Sequence, residues 1–388
     1  MSKRLGLLYL GRLEEEKGFW ILLEWIRSQD LKNLDVDFYI FWAGKYEEAL
    51  LELTRECPQI HFFGWKPLTE IERYLSNIDY CLMPSLCLET FGLSALNILS
   101  YGISVIGYKQ GGLTPFINKE YDLSQYQWKQ PVEQLDLMIK KLSKEKKEQN
   151  SDFYSLLSQK NKQLAEKYNK EARFKRFQEL TFDFKCRKIL MVSDFINPMW
   201  GIETGLHEMK KLLESHGYEV KLFWTSCPRW AAGKLKKYLG IALSILNLWS
   251  WWGLTSVIKK EKPDLIWYHS LIRWQGRFPV FQGIKSSAQQ RVMYHDLWVF
   301  HPFPSQVYKE SDIHKLSLKN FLKGAKTKNP LKLLLVAGKY LSLKLLASQL
   351  KNQKIRHQVP SRFMVPIVER SFQIPAQNIQ VFEHFVQR

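Results

Sequence analysis

The sequence predicts an α/β protein built from two parallel-sheet domains, and three observations carry that expectation. Short apolar runs alternate with longer stretches of helical periodicity along the whole chain, which is the pattern of βαβ units. The series of strand candidates pauses after Tyr108 and starts again beyond Phe184. With 388 residues, 45% of them hydrophobic, the chain is long enough for two or three domains with full-sized cores, and disorder as the main state is excluded.

In the first series, Leu5 to Leu10, Val36 to Trp42, Ile60 to Phe63, Tyr80 to Met83 and Ile103 to Tyr108 are apolar runs of strand length. Between them, Phe19 to Ser28, Leu68 to Ser76 and Leu93 to Ser100 repeat apolar residues at three- and four-residue intervals, as helices packed on a sheet do. From about Pro131 to Leu180 the pattern is helical and highly charged, and its lysine-rich run Lys140 to Lys147 reads as a solvated helix face. The second series has strands at Ile189 to Ser193, Glu219 to Trp224, Leu265 to His269, Arg291 to Tyr294 and Ile379 to Phe382. Strand counting puts the boundary near Phe182 to Arg187, giving domains 1–183 and 184–388; no Gly/Ser-rich linker or internal repeat marks it.

Charge separates the halves. Lys plus Arg number 57 and Asp plus Glu 38, a formal net charge of +19, yet residues 1–183 hold 25 basic and 26 acidic side chains, so the whole excess falls in 184–388. Such a field suits anionic lipid, nucleic acid or phosphorylated substrates. The basic residues are scattered over α/β units with no helix-turn-helix or RNA-binding signature, so no nucleic-acid partner is expected. Cys57, Cys81, Cys87, Cys186 and Cys227 are odd in number, widely spaced and never in a C-x-x-C pair, suggesting neither a disulfide framework nor a zinc site. Lys3 and Arg4 precede the apolar run Leu5 to Leu10, but Arg12 and Glu14 to Glu16 cut it short; it reads as a strand rather than a signal peptide, and a cytoplasmic setting is expected.

Three local signatures follow one another in the first half. G-R-L-x-x-x-K-G at Gly11 to Gly18 ends the first strand, so Arg12 and Lys17 fall at the carboxyl edge of a parallel sheet, spaced to converge on one anion. Pro84 to Leu93 ends another strand and opens a helix; there Gly92 permits close backbone approach, and the N–H groups of Phe91, Gly92 and Leu93 form an anion site. Glu89, just before that helix, is either a site residue or an N-terminal charge complement. Gly111-Gly112-Leu113 marks a tight loop after the fifth strand.

The order G-R-L-x-x-x-K-G, Phe63-Gly64-Trp65, P-S-x-x-x-E-T-F-G-L-S-A-L, Y-G-I-S-V-I and G-G-L resembles the donor-binding domain of glycosyltransferase family 4, retaining enzymes of the GT-B fold. The resemblance covers roughly residues 5–120. It implies two Rossmann-like domains facing a cleft, with Arg12 and Lys17 on the donor diphosphate, Gly64 and Trp65 at the base, and Glu89 at the transferred sugar. Where the family's E-x7-E pair has its second Glu on the ribose hydroxyls, this chain has Asn97, which gives up a charge-assisted bond worth on the order of 1 kcal/mol.

The second half is similar to the acceptor-binding domain of the same family, more loosely. Trp200-Gly201-Ile202-Glu203-Thr204 looks like its G-G-I-E-T loop, Lys262 to His269 its K-P-D strand, Arg291 to Trp298 its strand ending in H-D-L, and Val359-Pro360-Ser361 with Ile374 to Val386 its closing segment. The resemblance implies that His295 lies near the reacting sugar and that Gly201 and His269 lie on the acceptor side, with His301 as a further candidate. The family runs acceptor domain first; the inverted order here suggests a circular permutation, with Met1 and Arg388 near one another.

What the resemblance implies is a metal-independent retaining transferase without a cofactor. It would move a sugar from a nucleotide-diphosphate donor to a hydroxyl of a lipid, lipid-linked or glycan acceptor. The alternative is a catalytically silent sugar-nucleotide or glycan-binding protein, which Asn97 and Trp200 favour. Finally, Lys234 to Lys260 has lysines at both ends and Trp249, Trp251 and Trp252 in its second half. It is either a buried domain helix or an interfacial helix that docks the basic half on the anionic inner face of a membrane.

Overall fold

The computed structural model describes residues 4–30, 35–149, 151–182, 185–194, 201–224, 248–269, 278–297 and 328–386, with isolated residues between 300 and 322. The chain forms two compact units and passes from one to the other between Asn169 and Lys170.

The first unit is built on five parallel strands: β1 (Leu5–Leu10), β2 (Val36–Phe41), β3 (Ile60–Phe62), β4 (Tyr80–Met83) and β5 (Ser104–Gly107). Their order is β3-β2-β1-β4-β5, that of a doubly wound mononucleotide-binding half. β1 and β4 are buried along their whole length, as a central parallel sheet covered on both faces demands. Helices α1 (Phe19–Arg27), α2 (Glu47–Glu56), α3 (Leu68–Ile71), α4 (Leu93–Ser100), α5 (Pro131–Glu148) and α6 (Ser151–Glu166) complete it. α1 buries Phe19, Ile21, Leu22, Leu23, Trp25 and Ile26, and its Trp25 indole donates to Asp136 Oδ1 of α5 at 3.1 Å. In the run from Lys140 to Lys147, every lysine has a carboxylate partner: Asp136, Glu145, Glu148, Asp79 and Asp35.

The second unit begins with α7 (Lys170–Thr181), which the sequence boundary had assigned to the first domain. The reason is packing: Phe177 lies fully buried with its ring 5.6 Å from Trp267, Arg173 pairs with Glu383 at 3.3 Å, and the buried Arg291 guanidinium donates to the Leu180 carbonyl. Six parallel strands follow: β6 (Lys188–Ser193), β7 (Glu219–Trp224), β8 (Leu265–Tyr268), β9 (Gln289–Met293), β10 (Ile355–Val359) and β11 (Ile379–Val381). The order β11-β10-β9-β8-β6-β7 places the reversal of winding between β6 and β8. The described helices here are α8 (Gly201–Ser215), α9 (Leu248–Glu261), α10 (Phe278–Lys285), α11 (Pro330–Leu350) and α12 (Val365–Phe372).

Strand β10 has no counterpart among the strands expected from the sequence. Its residues, Ile-Arg-His-Gln-Val, lack an apolar run, yet four of the five are buried, with His357 receiving a 2.9 Å hydrogen-bonding contact from the Tyr294 hydroxyl. The segment Gly201 to Thr204, expected as a loop, opens helix α8. Met1, Trp200, Lys234 to Asn247, Trp298, His301 and Arg388 lie outside the described residues, and with them the expected closeness of the termini.

Candidate active site

In the first unit the order of strands reverses between β1 and β4, and in open α/β sheets that crevice at the carboxyl edge is where ligands bind. Both sequence signatures land there: Gly11 to Gly18 leaves β1 and Pro84 to Gly92 leaves β4. The two loops are tied together before any side chain acts. Leu86 and Cys87 donate their backbone N–H groups to the Glu16 carbonyl at 2.9 and 3.1 Å, and Gly112 N donates to the Glu89 carbonyl at 2.7 Å. Gly18 has φ 70°, and a Cβ there would stand 2.0 Å from the Pro84 carbonyl oxygen; only glycine permits that approach. The Tyr9 hydroxyl, rising from β1, donates to the Arg12 carbonyl at 3.0 Å and fixes the turn.

On this scaffold Lys17 Nζ meets Glu89 Oε1 at 2.5 Å, each side chain about one-fifth exposed. The Ser85 hydroxyl donates to the same oxygen at 2.9 Å, and Gln110 Nε2 holds the Ser85 and Leu86 carbonyls at 2.9 and 3.1 Å. Arg12 pairs with Glu16 at 2.9 Å and is more open, its side chain 38% exposed. Burial pulls the Lys17 ammonium down, but the Glu89 carboxylate outweighs it and leaves Lys17 above its usual value. Burial likewise pushes Glu89 up, and the Lys17 charge with the Lys17 and Ser85 hydrogen bonds brings it below the usual range. In the ligand-free chain the expected anion-binding cations are thus each held by a glutamate, which keeps them oriented.

Gly92 stands at the N-cap of α4 with φ 93° and, as glycine, brings no side chain to that helix start. The Phe91 ring turns into an aromatic cluster, 5.3 Å from Phe116 and 5.8 Å from Tyr168, so what it offers the crevice is backbone. Leu93 is the first residue of α4, and Asn97, one turn further, is buried. At the ends of β2 and β3, Gly64 has φ 67° and accepts from Trp42 N at 2.7 Å, while Trp65 is 47% exposed with its ring 6.2 Å from Trp42. Trp42 itself has φ 112°, a strained conformation for a bulky residue and one that clusters at binding sites. Sequence reading assigned no role to Trp42, Ser85 or Gln110; the signals were that Trp42 ends a strand candidate and that Ser85 stands in the P-S-x-x-x-E motif.

The sequence contains one D-x-D, Asp35-Val36-Asp37. It lies at the amino end of β2, away from the crevice edge, and its carboxylates pair with Lys147 at 3.1 Å and Arg4 at 3.6 Å.

In the second unit, His269 follows β8 and His295 follows β9, and the structure brings them together: His269 Nδ1 and His295 Nε2 are 2.8 Å apart. A third imidazole joins them, His384 Nε2 lying 3.3 Å from His295 Nδ1. Both ring nitrogens of His295, expected near the reacting sugar, therefore face other histidines. Burial, with smaller effects of neighbouring cationic or imidazole groups, lowers His269 to about 3 and His384 to about 4. Gly201 stands at the first position of α8. Among the described residues no group of three or more His, Cys, Asp and Glu is arranged to hold a metal ion.

The first unit is thus a doubly wound α/β unit with Arg12, Lys17 and Glu89 in the loops at its switch point. Residues 2–154 match the family model described as glycosyl transferases group 1. Two curated relatives each match part of the chain. One is an uncharacterized 41.2 kDa protein in the cps region of Klebsiella pneumoniae, 26% identical over 117 residues. The other is the amylovoran biosynthesis glycosyltransferase AmsK of Erwinia amylovora, 25% identical over 127 residues. In each case the match covers 30% of this chain and 31% of the relative. Among solved structures, the pneumococcal O-GlcNAc transferase GtfA in complex with UDP and GlcNAc is 19% identical, covering 47% of this chain and 36% of that one at a TM-score of 0.37. The catalytic domain of the Helicobacter pylori cholesterol-alpha-glucosyltransferase is 15% identical, covering 41% and 95% at a TM-score of 0.33.

Proposed function

We propose that the protein is a retaining glycosyltransferase that moves a sugar from a nucleotide-diphosphate donor to a hydroxyl of a glycan, lipid or lipid-linked acceptor. The observation that carries the reading is the Lys17–Glu89 pair at the β1/β4 switch point, with Arg12 and the Gly92 start of α4 beside it in the chain. The chemistry has to stabilise a departing diphosphate and a sugar that becomes cationic. Lys17 and Glu89 neutralise one another until the donor enters; the diphosphate then takes the ammonium, and the released carboxylate accepts from hydroxyls of the sugar. Arg12 and the N–H groups of Gly92 and Leu93 share the developing phosphate charge without moving, which is what makes such groups effective. Trp42 and Trp65 supply a surface for the base. In this scheme residues 1–169 are the donor-binding unit and 170–388 the acceptor-binding unit, an order that a circular permutation of the family arrangement produces.

The reading also includes a membrane contact by the basic unit. Its support is a set of exposed apolar side chains on two helices: Trp252 of α9, 76% exposed, and Leu331, Leu334, Leu341 and Leu345 along α11. α11 is the one described helix long and apolar enough to cross a membrane, with 21 residues, a mean hydropathy of 1.3 and 28% of that stretch buried. Flotation with anionic liposomes tests this contact, and failure to float at low salt would remove it. The silent-binder reading keeps one supporting observation, Asn97 in place of an acidic residue. The deciding experiment is a screen of donor hydrolysis with UDP-, GDP- and ADP-sugars: turnover of one donor that is lost in Glu89→Gln supports the enzyme, whereas tight binding with no turnover of any donor supports the silent protein.

A further inference from the structure

The three histidines of the second unit lie in a line across its sheet edge. His384 follows β11, His295 follows β9 and His269 follows β8, and the next strand beyond β8 is β6, where the winding reverses. His269 is thus the member nearest the crevice in which ligands of such sheets bind. The rings of His269 and His295 are 5.1 Å apart centre to centre and 20° from coplanar, while the nearest nitrogens are 2.8 Å apart. Those values describe an in-line N–H···N bond between neighbouring edges, not faces in contact. His295 and His384 have the same ring separation, 5.1 Å at 23°, with a longer nitrogen contact of 3.3 Å. His269 Nε2, at the crevice end, is shielded from solvent and has no hydrogen-bond partner among the described residues, and His269 as a whole is only 6% exposed.

We propose that this row is one functional unit in which His269 Nε2 accepts a hydrogen bond from a hydroxyl of the bound acceptor, and His295 and His384 are positioning residues that fix the proton needed for it. A neutral imidazole has one donor and one acceptor nitrogen, so the tautomer of any member dictates the others. A buried N–H with no acceptor is costlier than a bare lone pair, so Nε2 of His269 carries no proton. Its proton sits on Nδ1 and is donated to His295 Nε2. That leaves the His295 proton on Nδ1, donated to His384 Nε2, and the His384 proton on its own Nδ1. Burial, which disfavours charge on each ring, keeps the row neutral. The acceptor-facing atom is therefore on His269, and His295 acts behind it. The hydroxyl ligand rests on the glycosyltransferase reading; the proton arrangement does not.

The test is long-range 1H–15N NMR on the full chain labelled with 15N-histidine, without ligand, joined to steady-state kinetics. The wild type should show His269, His295 and His384 as Nδ1–H tautomers. His384→Gln keeps an oxygen that can accept from His295 Nδ1–H and should leave both the tautomers and the acceptor KM near wild type. His384→Leu removes that acceptor, should change the His295 tautomer, and should raise the acceptor KM about tenfold while donor hydrolysis without acceptor stays the same. An Nε2–H proton on any of the three in the wild type overturns the row. So does a His384→Leu variant that depresses donor hydrolysis as much as transfer. A wild type that turns over no sugar donor overturns the glycosyltransferase reading and the hydroxyl assignment with it, while the wild-type tautomers still decide the row.

Discussion

Replacing Glu89 by Gln should separate catalysis from stability. The side chain contributes a charge-assisted bond to Lys17 at 2.5 Å and accepts from Ser85 at 2.9 Å. The amide oxygen of Gln can still accept both, so what disappears is the charge. The loop itself is held elsewhere, by Leu86 and Cys87 on the Glu16 carbonyl, by Gly112 on the Glu89 carbonyl, and by Gln110 on Ser85 and Leu86. For a pair this far from full burial, the loss should cost about 1 kcal/mol, or roughly 2–4 °C in the unfolding midpoint of a unit this size. The effect on turnover is of another order. A group that acts on charge developing only as the donor breaks should cost on the order of a hundred- to a thousandfold in kcat. Initial rates with the donor found in the hydrolysis screen, beside a thermal melt of the same sample, read both quantities. Turnover within a fewfold of wild type would refute the assignment of Glu89, and a collapse of the melt would refute the claim that the loop is held by its backbone.

Lys17→Ala should also abolish most transfer, but with a larger stability loss of about 1–3 kcal/mol, because Glu89 keeps its charge with only Ser85 beside it; melts of the two variants should rank in that order. Gly18→Ala and Gly112→Ala put a Cβ 2.0 Å from the Pro84 oxygen and 2.4 Å from the Phe91 nitrogen, so each should lower the denaturant midpoint and weaken donor binding together by calorimetry. Trp42→Ala with Trp65→Ala should raise the donor KM about tenfold or more and leave kcat nearly unchanged, a split that equal losses in both constants would contradict. Stability should fall on acidification. His269 and His384 titrate at about 3 and 4 when folded, against an ordinary 6.5, so below 6.5 the unfolded chain binds protons that the folded chain refuses. Their contribution is complete above pH 6.5 and declines toward pH 4, by up to about 1.4 kcal/mol per pH unit for each histidine, and Arg173 near His384 adds to the effect. A flat denaturant midpoint across that window would contradict it.

Strands β1 and β4 matched their expected bounds because buried parallel strands are nearly continuous apolar runs, and the placement of Arg12, Lys17 and Glu89 at the sheet edge followed from where those runs end. The failures have the same origin. β10 is buried yet spells Ile-Arg-His-Gln-Val, its polar groups satisfied by contacts such as Tyr294 to His357 that no local pattern announces. Helix α7 has a charged sequence typical of a surface element, so nothing in it revealed that Phe177 and Arg173 would lie against Trp267 and Phe382. His384 sits in Val-Phe-Glu-His-Phe with no motif around it. Its place in the row comes from strand order, which sets it beside His295, 89 positions earlier in the chain. Trp42 was visible as a strand end, but its positive φ was not.

Loops on a sheet edge ordinarily vary independently, each free to lengthen without consulting its neighbours. The loops after β1 and β4 cannot. Glu16 gives its carbonyl to the loop after β4 while its carboxylate holds Arg12 in its own loop, and Gly18 lies flush against Pro84. An insertion in either would pull the partner out of register, so the two behave as one heritable piece although they lie far apart in the sequence. Anyone exchanging this edge between the chain and a relative would have to transplant Gly11 to Gly18 and Pro84 to Gly92 together, since a chimera carrying only one would present half of a fitted joint.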